Sequence, residues 1–243
     1  MSLFSKIKHT FLTPKFLWKA VIRNYDLSKN SERNFFERIL FRVFWFWPTL
    51  YPALSWSNTQ DSEGQGFENF VEITDDVQCL LNEVVRCTPD LDSRIFDIGC
   101  NVGRCLNYLH HLGYRNLYGV DIGREAIENI PNIFPDLQDN AHIELKTVQE
   151  YLLKTDDCFY TTTYTMGATV ELIPSSFPLI KEITRITSKY VCFMISYNGH
   201  LYPRFWEYEF SRHSFILVKK FMYSLDNQRA NDQVLLVFKR INY

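Results

Sequence analysis

A doubly wound α/β domain on a mixed seven-strand sheet, preceded by an N-terminal helical extension, is the fold class this sequence predicts. Three observations predict it. Beyond residue 70, apolar runs of strand length alternate with segments of helical periodicity, the pattern of parallel β-α-β units. The last two strands, 215–223 and 233–241, follow one another with no helix between, so they form an antiparallel hairpin at one edge. A length of 243 residues with 46% hydrophobic content supplies one sizeable core.

The elements follow in order. Thr74 can cap a helix over 74–87, where Val77, Leu80, Leu81, Val84 and Val85 recur at helical spacing. Strands are expected at 94–98, 117–122, 142–145, 158–164 and 190–196. Between them helices are expected at 103–112, ended by Gly113, at 124–130, stopped by Pro131, and at 176–187. The organisation is therefore residues 71–243 as one α/β domain and residues 1–70 as a cap with a lid loop. Within the latter, helix-like stretches occupy 3–12, 14–24 and 31–46, and the polar, glycine-bearing run from Trp56 reads as loop.

Charge is uneven. The whole chain carries −2, but residues 1–50 hold nine Lys/Arg against three acids, +6, which leaves −8 for the remainder. Such a balance argues against a nucleic-acid partner for the α/β domain. The aromatic and basic segment around Phe41, Phe44, Trp45, Phe46 and Trp47 suits a helical cap over a cleft, peripheral membrane contact through residues 1–55, or an RNA-facing patch. The apolar stretch 39–54 is broken by Arg42, Pro48 and Pro52, which argues against a membrane-spanning helix. Six cysteines fall at spacings of neither a zinc site nor a redox pair, so reduced core thiols, a cytoplasmic location and no metal are expected.

The chemistry concentrates in Arg94-Ile-Phe-Asp-Ile-Gly-Cys-Asn-Val-Gly-Arg104. A strand ends near Asp97, a turn carries Gly99 and Gly103, and a helix begins at once. In an open parallel sheet, ligands bind where the strand order reverses. The next strand ends at Asp121, placed to accept ribose hydroxyls. A dinucleotide site wants G-x-G-x-x-G facing a pyrophosphate. Here the glycines stand at a Gly-x-x-x-Gly spacing behind an acid, which repels an anion and holds a cationic amino group.

The stretch 94–174 resembles the class I, Rossmann-like, seven-strand S-adenosylmethionine-dependent methyltransferases. Asp97-Ile-Gly-Cys-Asn-Val-Gly103 is similar to their first motif, Tyr-Gly-Val-Asp121 to their second acidic position, and Tyr164–Pro174 to the segment after strand four. The resemblance implies S-adenosylmethionine as cofactor. It implies that Asp97, Gly99 and Gly103 hold the methionine part and Asp121 the ribose. Thr147 and Val148 would then lie near the adenine, and Thr165, Met166 and Gly167 near the reacting centre. Asn101 replaces a frequent glycine and should add a side-chain donor. Leu172 stands where a histidine is frequent, so that position supplies no base.

Methyl transfer needs alignment and exclusion of water, and a hydroxyl acceptor benefits from a general base. His200, just after the fifth strand, is the first candidate, with a surface histidine as the plain alternative. Glu171 is the second. Arg204, Trp206 and Tyr202 are candidates for holding the acceptor; Trp206 on a helix face is as readily core. Thr161-Thr-Thr-Tyr164 replaces the Asn-Pro-Pro-Tyr run that would indicate amino-group methylation. The expected function is thus O-methylation of a small molecule or surface-glycan precursor. A non-catalytic binding module at a membrane or partner surface, and an RNA or protein methyltransferase, stand as alternatives.

Overall fold

A computed structural model of the chain describes residues 67–173, 177–196, 204–223 and 233–241. The helices and most of the lid loop expected in residues 1–66, with His200 and Tyr202, lie outside the described residues. The lid's last residues, Phe67–Phe70, form a 3-10 turn.

Helix α1 (Asp75–Cys87) opens the described α/β domain. Val77, Leu80, Leu81 and Val84 recur at i, i+3, i+4 and i+7 and have no exposed surface. Asp75 and Asp76 place negative charge at its N-terminus, where the helix dipole favours it. Strand β1 (Arg94–Ile98) follows, then α2 (Arg104–His111) and β2 (Asn116–Asp121). Helix α3 (Arg124–Ile133) runs through Pro131 rather than stopping before it. Proline removes only one internal bond so near a helix end, and Ile130, still inside, is buried against the same core as α2.

A short helix α4 (Pro135–Gln138) leads to β3 (Ala141–Leu145). Helix α5 (Val148–Lys154) then leads to β4 (Tyr160–Met166). This strand begins two residues later than the sequence pattern suggests, because Cys158 takes a left-handed conformation at φ 55°. A 3-10 turn at Ala168–Leu172 precedes α6 (Leu179–Ile186) and β5 (Thr187–Ser196). Helix α7 (Trp206–Ser211) leads to β6 (Phe215–Tyr223) and β7 (Gln233–Arg240).

The sheet is the mixed seven-strand sheet the sequence predicts, in the order β3-β2-β1-β4-β5-β7-β6. Strands β3, β2, β1, β4 and β5 are parallel, and β7 is antiparallel to both β5 and β6. The chain winds from β1 out to β3, then returns across β1 to β4. That reversal leaves a crevice beyond the carboxyl ends of β1 and β4.

Two apolar clusters sandwich the sheet: Val77, Leu80, Leu106, Leu109 and Leu117 on one face, and Phe96, Ile180, Ile183, Phe193, Phe210 and Phe238 on the other. Removing the Phe193 ring from the second would cost about 3–5 kcal/mol. Cys87, Cys100, Cys105 and Cys192 are buried thiols, Cys79 is half-buried and Cys158 exposed. Among the described residues no helix is long and apolar enough to cross a membrane.

Candidate functional site

Asp97, the penultimate residue of β1, pairs in register with Gly119 of β2 and Tyr164 of β4. Its carboxylate is 2% exposed and accepts the Tyr164 hydroxyl at 3.0 Å. Burial pushes its pKa up to about 7; the Tyr164 hydrogen bond opposes this, the Asp121 charge adds to it, and Arg104 lessens it. A buried acid so raised is short of positive charge.

The following turn curls over the tip of β2. The N–H groups of Gly99 and Cys100 both donate to Val120 O. Gly99 stands at φ 77°, and a Cβ there would lie 2.0 Å from Thr169 Oγ1, so only glycine fits. Asn101, also left-handed at φ 50°, donates its N–H to Asp121 Oδ2 at 2.8 Å. Gly123 N–H donates to Asp121 Oδ1 at 2.7 Å. Burial raises the Asp121 pKa, and these backbone donors lower it. Each oxygen thus has a fixed backbone partner, with the Ile122 N–H as a further backbone donor to the carboxylate.

Every backbone donor of the turn is engaged within the protein: Val102 N–H goes to Asn101 Oδ1 and Gly103 N–H to Cys100 O. None of these turn N–H groups remains to cradle a pyrophosphate, which weighs against a dinucleotide site. The Asn101 side-chain oxygen closes the local turn.

Beyond these tips lies a cavity of about 350 Å³. Asp97, Gly99, Asn101, Asp121, Thr147, Val148, Met166 and Gly167 all line it. The structure therefore brings eight of the ten expected cofactor residues to one space. Thr147 contributes its wall but not a free hydroxyl: it caps α5, accepting Glu150 N–H at 3.2 Å and donating to Glu150 Oε2 at 2.8 Å.

The other two serve the scaffold. Thr165 is buried and donates to Ile98 O at 2.7 Å, because alternation along β4 turns it away from the cavity that Met166 faces. Gly103 is the left-handed cap of α2, and a Cβ there would lie 2.7 Å from Leu137 Cδ2, so it serves packing.

The acceptor and base candidates fare differently. Glu171 has no exposed surface and accepts the Ser196 N–H at 3.2 Å, so it ties the turn after β4 to the end of β5. A base must reach the acceptor's proton, and Glu171 does not line the cavity. Arg204 is corrected likewise: its guanidinium is only 7% exposed and donates to Ile173 O and to Glu209, both at 3.2 Å. Burial lowers its pKa, and Glu209 opposes this. Trp206 is core, edge-on to Phe193 with ring centroids 5.6 Å apart.

The cavity also recruits residues that the sequence reading passed over. Arg104, directly after the motif's second glycine, lines it and donates to Glu72 O at 2.6 Å. Ile122, Lys146 and Gln149, and Phe70, Asp76, Ile173 and Gln233, line it as well. Arg104 and Ile122 follow their strand-tip carboxylates in sequence and were findable by that position. Gln233, far away in the chain, carried no signal.

The chain matches no protein-family model and no curated protein sequence. Solved structures do match it. Magnesium protoporphyrin IX methyltransferase from Synechocystis, with bound S-adenosylmethionine, superposes with a TM-score of 0.56 at 16% identity over 83% of this chain and 97% of that one. An S-adenosylmethionine-dependent methyltransferase from Mesorhizobium loti gives 0.56 at 12% identity over 72% and 100%. A TehB-like S-adenosylmethionine-dependent methyltransferase from Corynebacterium glutamicum gives 0.53 at 15% identity over 72% and 98%. With strand order, hairpin edge and crevice in agreement, the chain has the class I, Rossmann-like S-adenosylmethionine-dependent methyltransferase fold.

Proposed function

We propose that this chain is an S-adenosylmethionine-dependent methyltransferase acting on oxygen of a small molecule or surface-glycan precursor. The observation that carries the reading is the pair of carboxylates at adjacent strand tips, Asp97 and Asp121, facing one cavity. Asp97 is buried and short of positive charge, as a site for the cofactor's ammonium group requires. Asp121 is oriented by backbone donors at the cavity wall, where it can accept ribose hydroxyls. Val148 and Ile122 offer apolar contact to the adenine. Arg104 supplies the cation for the cofactor's carboxylate, since the turn's own N–H groups are engaged.

The bound cofactor supplies an activated methyl group; the chain's residues orient it and exclude water. Residues 71–243 form the transferase domain and residues 1–70 its cap. Phe70 in the cavity wall supports this, since it is the last residue of that zone. His200 is the general base, supported by its place four residues beyond Ser196, the last residue of β5.

The test is release of S-adenosylhomocysteine from S-adenosylmethionine over a panel of hydroxyl-bearing acceptors. Turnover that Asp121→Ala lowers at subsaturating cofactor and that excess cofactor restores supports the reading. Tight cofactor binding without turnover on any acceptor would favour a non-catalytic binding module.

A further inference from the structure

Tyr164 bonds the buried acid of the site without lining the cavity. It has no exposed surface and lies in the apolar cluster beneath α1 and α2. A phenol hydroxyl sunk in an apolar core needs a partner, and this one donates to Asp97 Oδ2 at 3.0 Å. The pairing follows from strand register. Asp97 and Tyr164 are partners on the neighbouring parallel strands β1 and β4, so both side chains leave the same face of the sheet. The other carboxylate oxygen of Asp97 takes no hydrogen bond among the described residues, and Asp97 lines the cavity.

We propose that Tyr164 is a positioning residue for cofactor binding, its hydroxyl orienting the Asp97 carboxylate and favouring the ionised form that a ligand ammonium group requires. The inference rests on the methyl-transfer reading above and adds the regulation of that site by pH.

The other groups around Asp97 leave this part to Tyr164. Asp121, at the tip of β2, opposes a second negative charge, and Arg104 of α2 favours it only through space. Asp76 of α1, a further acid, shares the cavity wall. Cys100 in the turn and Cys105 on α2 are close, but burial raises both thiols, so they are neutral at neutral pH. Burial raises the Tyr164 hydroxyl well above the ordinary tyrosine range too, so it stays a donor throughout. Tyr164 is thus the one hydrogen-bond donor to the Asp97 carboxylate among the described residues, set against a burial that favours the neutral acid.

The consequence has a definite sign. Without the hydroxyl, the Asp97 pKa rises beyond about 7, and more of the unliganded protein carries a proton there at pH 7. Binding an ammonium group then expels more protons and is weaker. A tyrosine that only packs the core would alter affinity and leave the proton count alone.

Calorimetric titration of the full chain with S-adenosylhomocysteine at pH 7, in buffers of different ionisation enthalpy, reads both quantities. Proton release is scored as the part that Asp97→Asn removes, since burial raises Asp121 as well. The wild type should release about half a proton. Tyr164→Phe, which deletes only the oxygen, should release nearly one and bind about fivefold more weakly, as a rise of about one pKa unit requires. Added to Asp97→Asn, the same change should leave the proton count as it is and move affinity less than about twofold. A second reading needs no Tyr164 variant. With carbon-13 at the tyrosine Cζ, one signal of the unliganded wild type should shift with a midpoint near pH 7, and it should not do so in Asp97→Asn. A Tyr164→Phe chain with the wild-type proton count, or no tyrosine signal that follows Asp97, overturns the proposal. Failure of wild type to bind S-adenosylhomocysteine instead removes the methyl-transfer reading beneath it.

Discussion

Asp97 holds its proton up to about pH 7 because burial outweighs the single hydroxyl that Tyr164 donates to it. A folded-state pKa above the ordinary value means the native chain binds more protons than the unfolded one between about pH 4 and 7. Its contribution to stability is therefore present at low pH and lost as pH rises through 7. Binding a cationic amino group favours the ionised form. At pH 6, S-adenosylmethionine should release a proton, and its affinity should fall as pH drops from 7 to 6. Calorimetry in buffers of different ionisation enthalpy reads the proton directly, and Asp97→Asn should abolish it.

At Asp121 the expected effect is on affinity alone. Losing the acceptor of two ribose hydroxyls in Asp121→Ala should weaken cofactor binding by about 100-fold, measured by titration. His200→Ala should lower turnover more than tenfold with cofactor affinity intact. Asp97 and Asp121 were legible in the sequence because strand-tip acids flanking a glycine turn have one geometric meaning. Glu171, Arg204 and Trp206 were not, since sequence spacing does not say which side of a strand end a side chain takes. For each of these three, burial and a local partner decided the outcome.

Among the elements, the strands were legible wherever both faces are buried. The run Tyr190–Ser196 lies wholly within β5, and 94–98 is β1 with its bounds unchanged. Helix α5 was not foreseen, although Thr147-Val-Gln-Glu150 is a capping box, whose reciprocal bonds the structure contains. The signal was read as an adenine contact instead. Removing it in Thr147→Ala should cost about 1 kcal/mol in denaturant unfolding, and Thr147→Ser should restore most of that. Gly99→Ala should cost more, about 1–3 kcal/mol, through positive φ and the clash with Thr169.

For the molecule as a whole, alternation of strand and helix with a closing hairpin was enough to give a mixed sheet with an antiparallel edge, though not its strand order. Local pattern fixes parallel winding, and handedness of the crossovers leaves few alternatives. The full wall of the cavity was not legible, because it includes Phe70, Asp76 and Gln233, which only the fold brings together. Cofactor binding should stabilise the entire domain by mass action, about 2.7 kcal/mol at 100 times Kd, seen as a rise in Tm. The most direct measurement is a crystal structure of the chain grown with S-adenosylhomocysteine. Its amino group should lie against Asp97 and both ribose hydroxyls against Asp121; density lying clear of these two carboxylates, or none in the cavity at saturating ligand, would contradict the assignment.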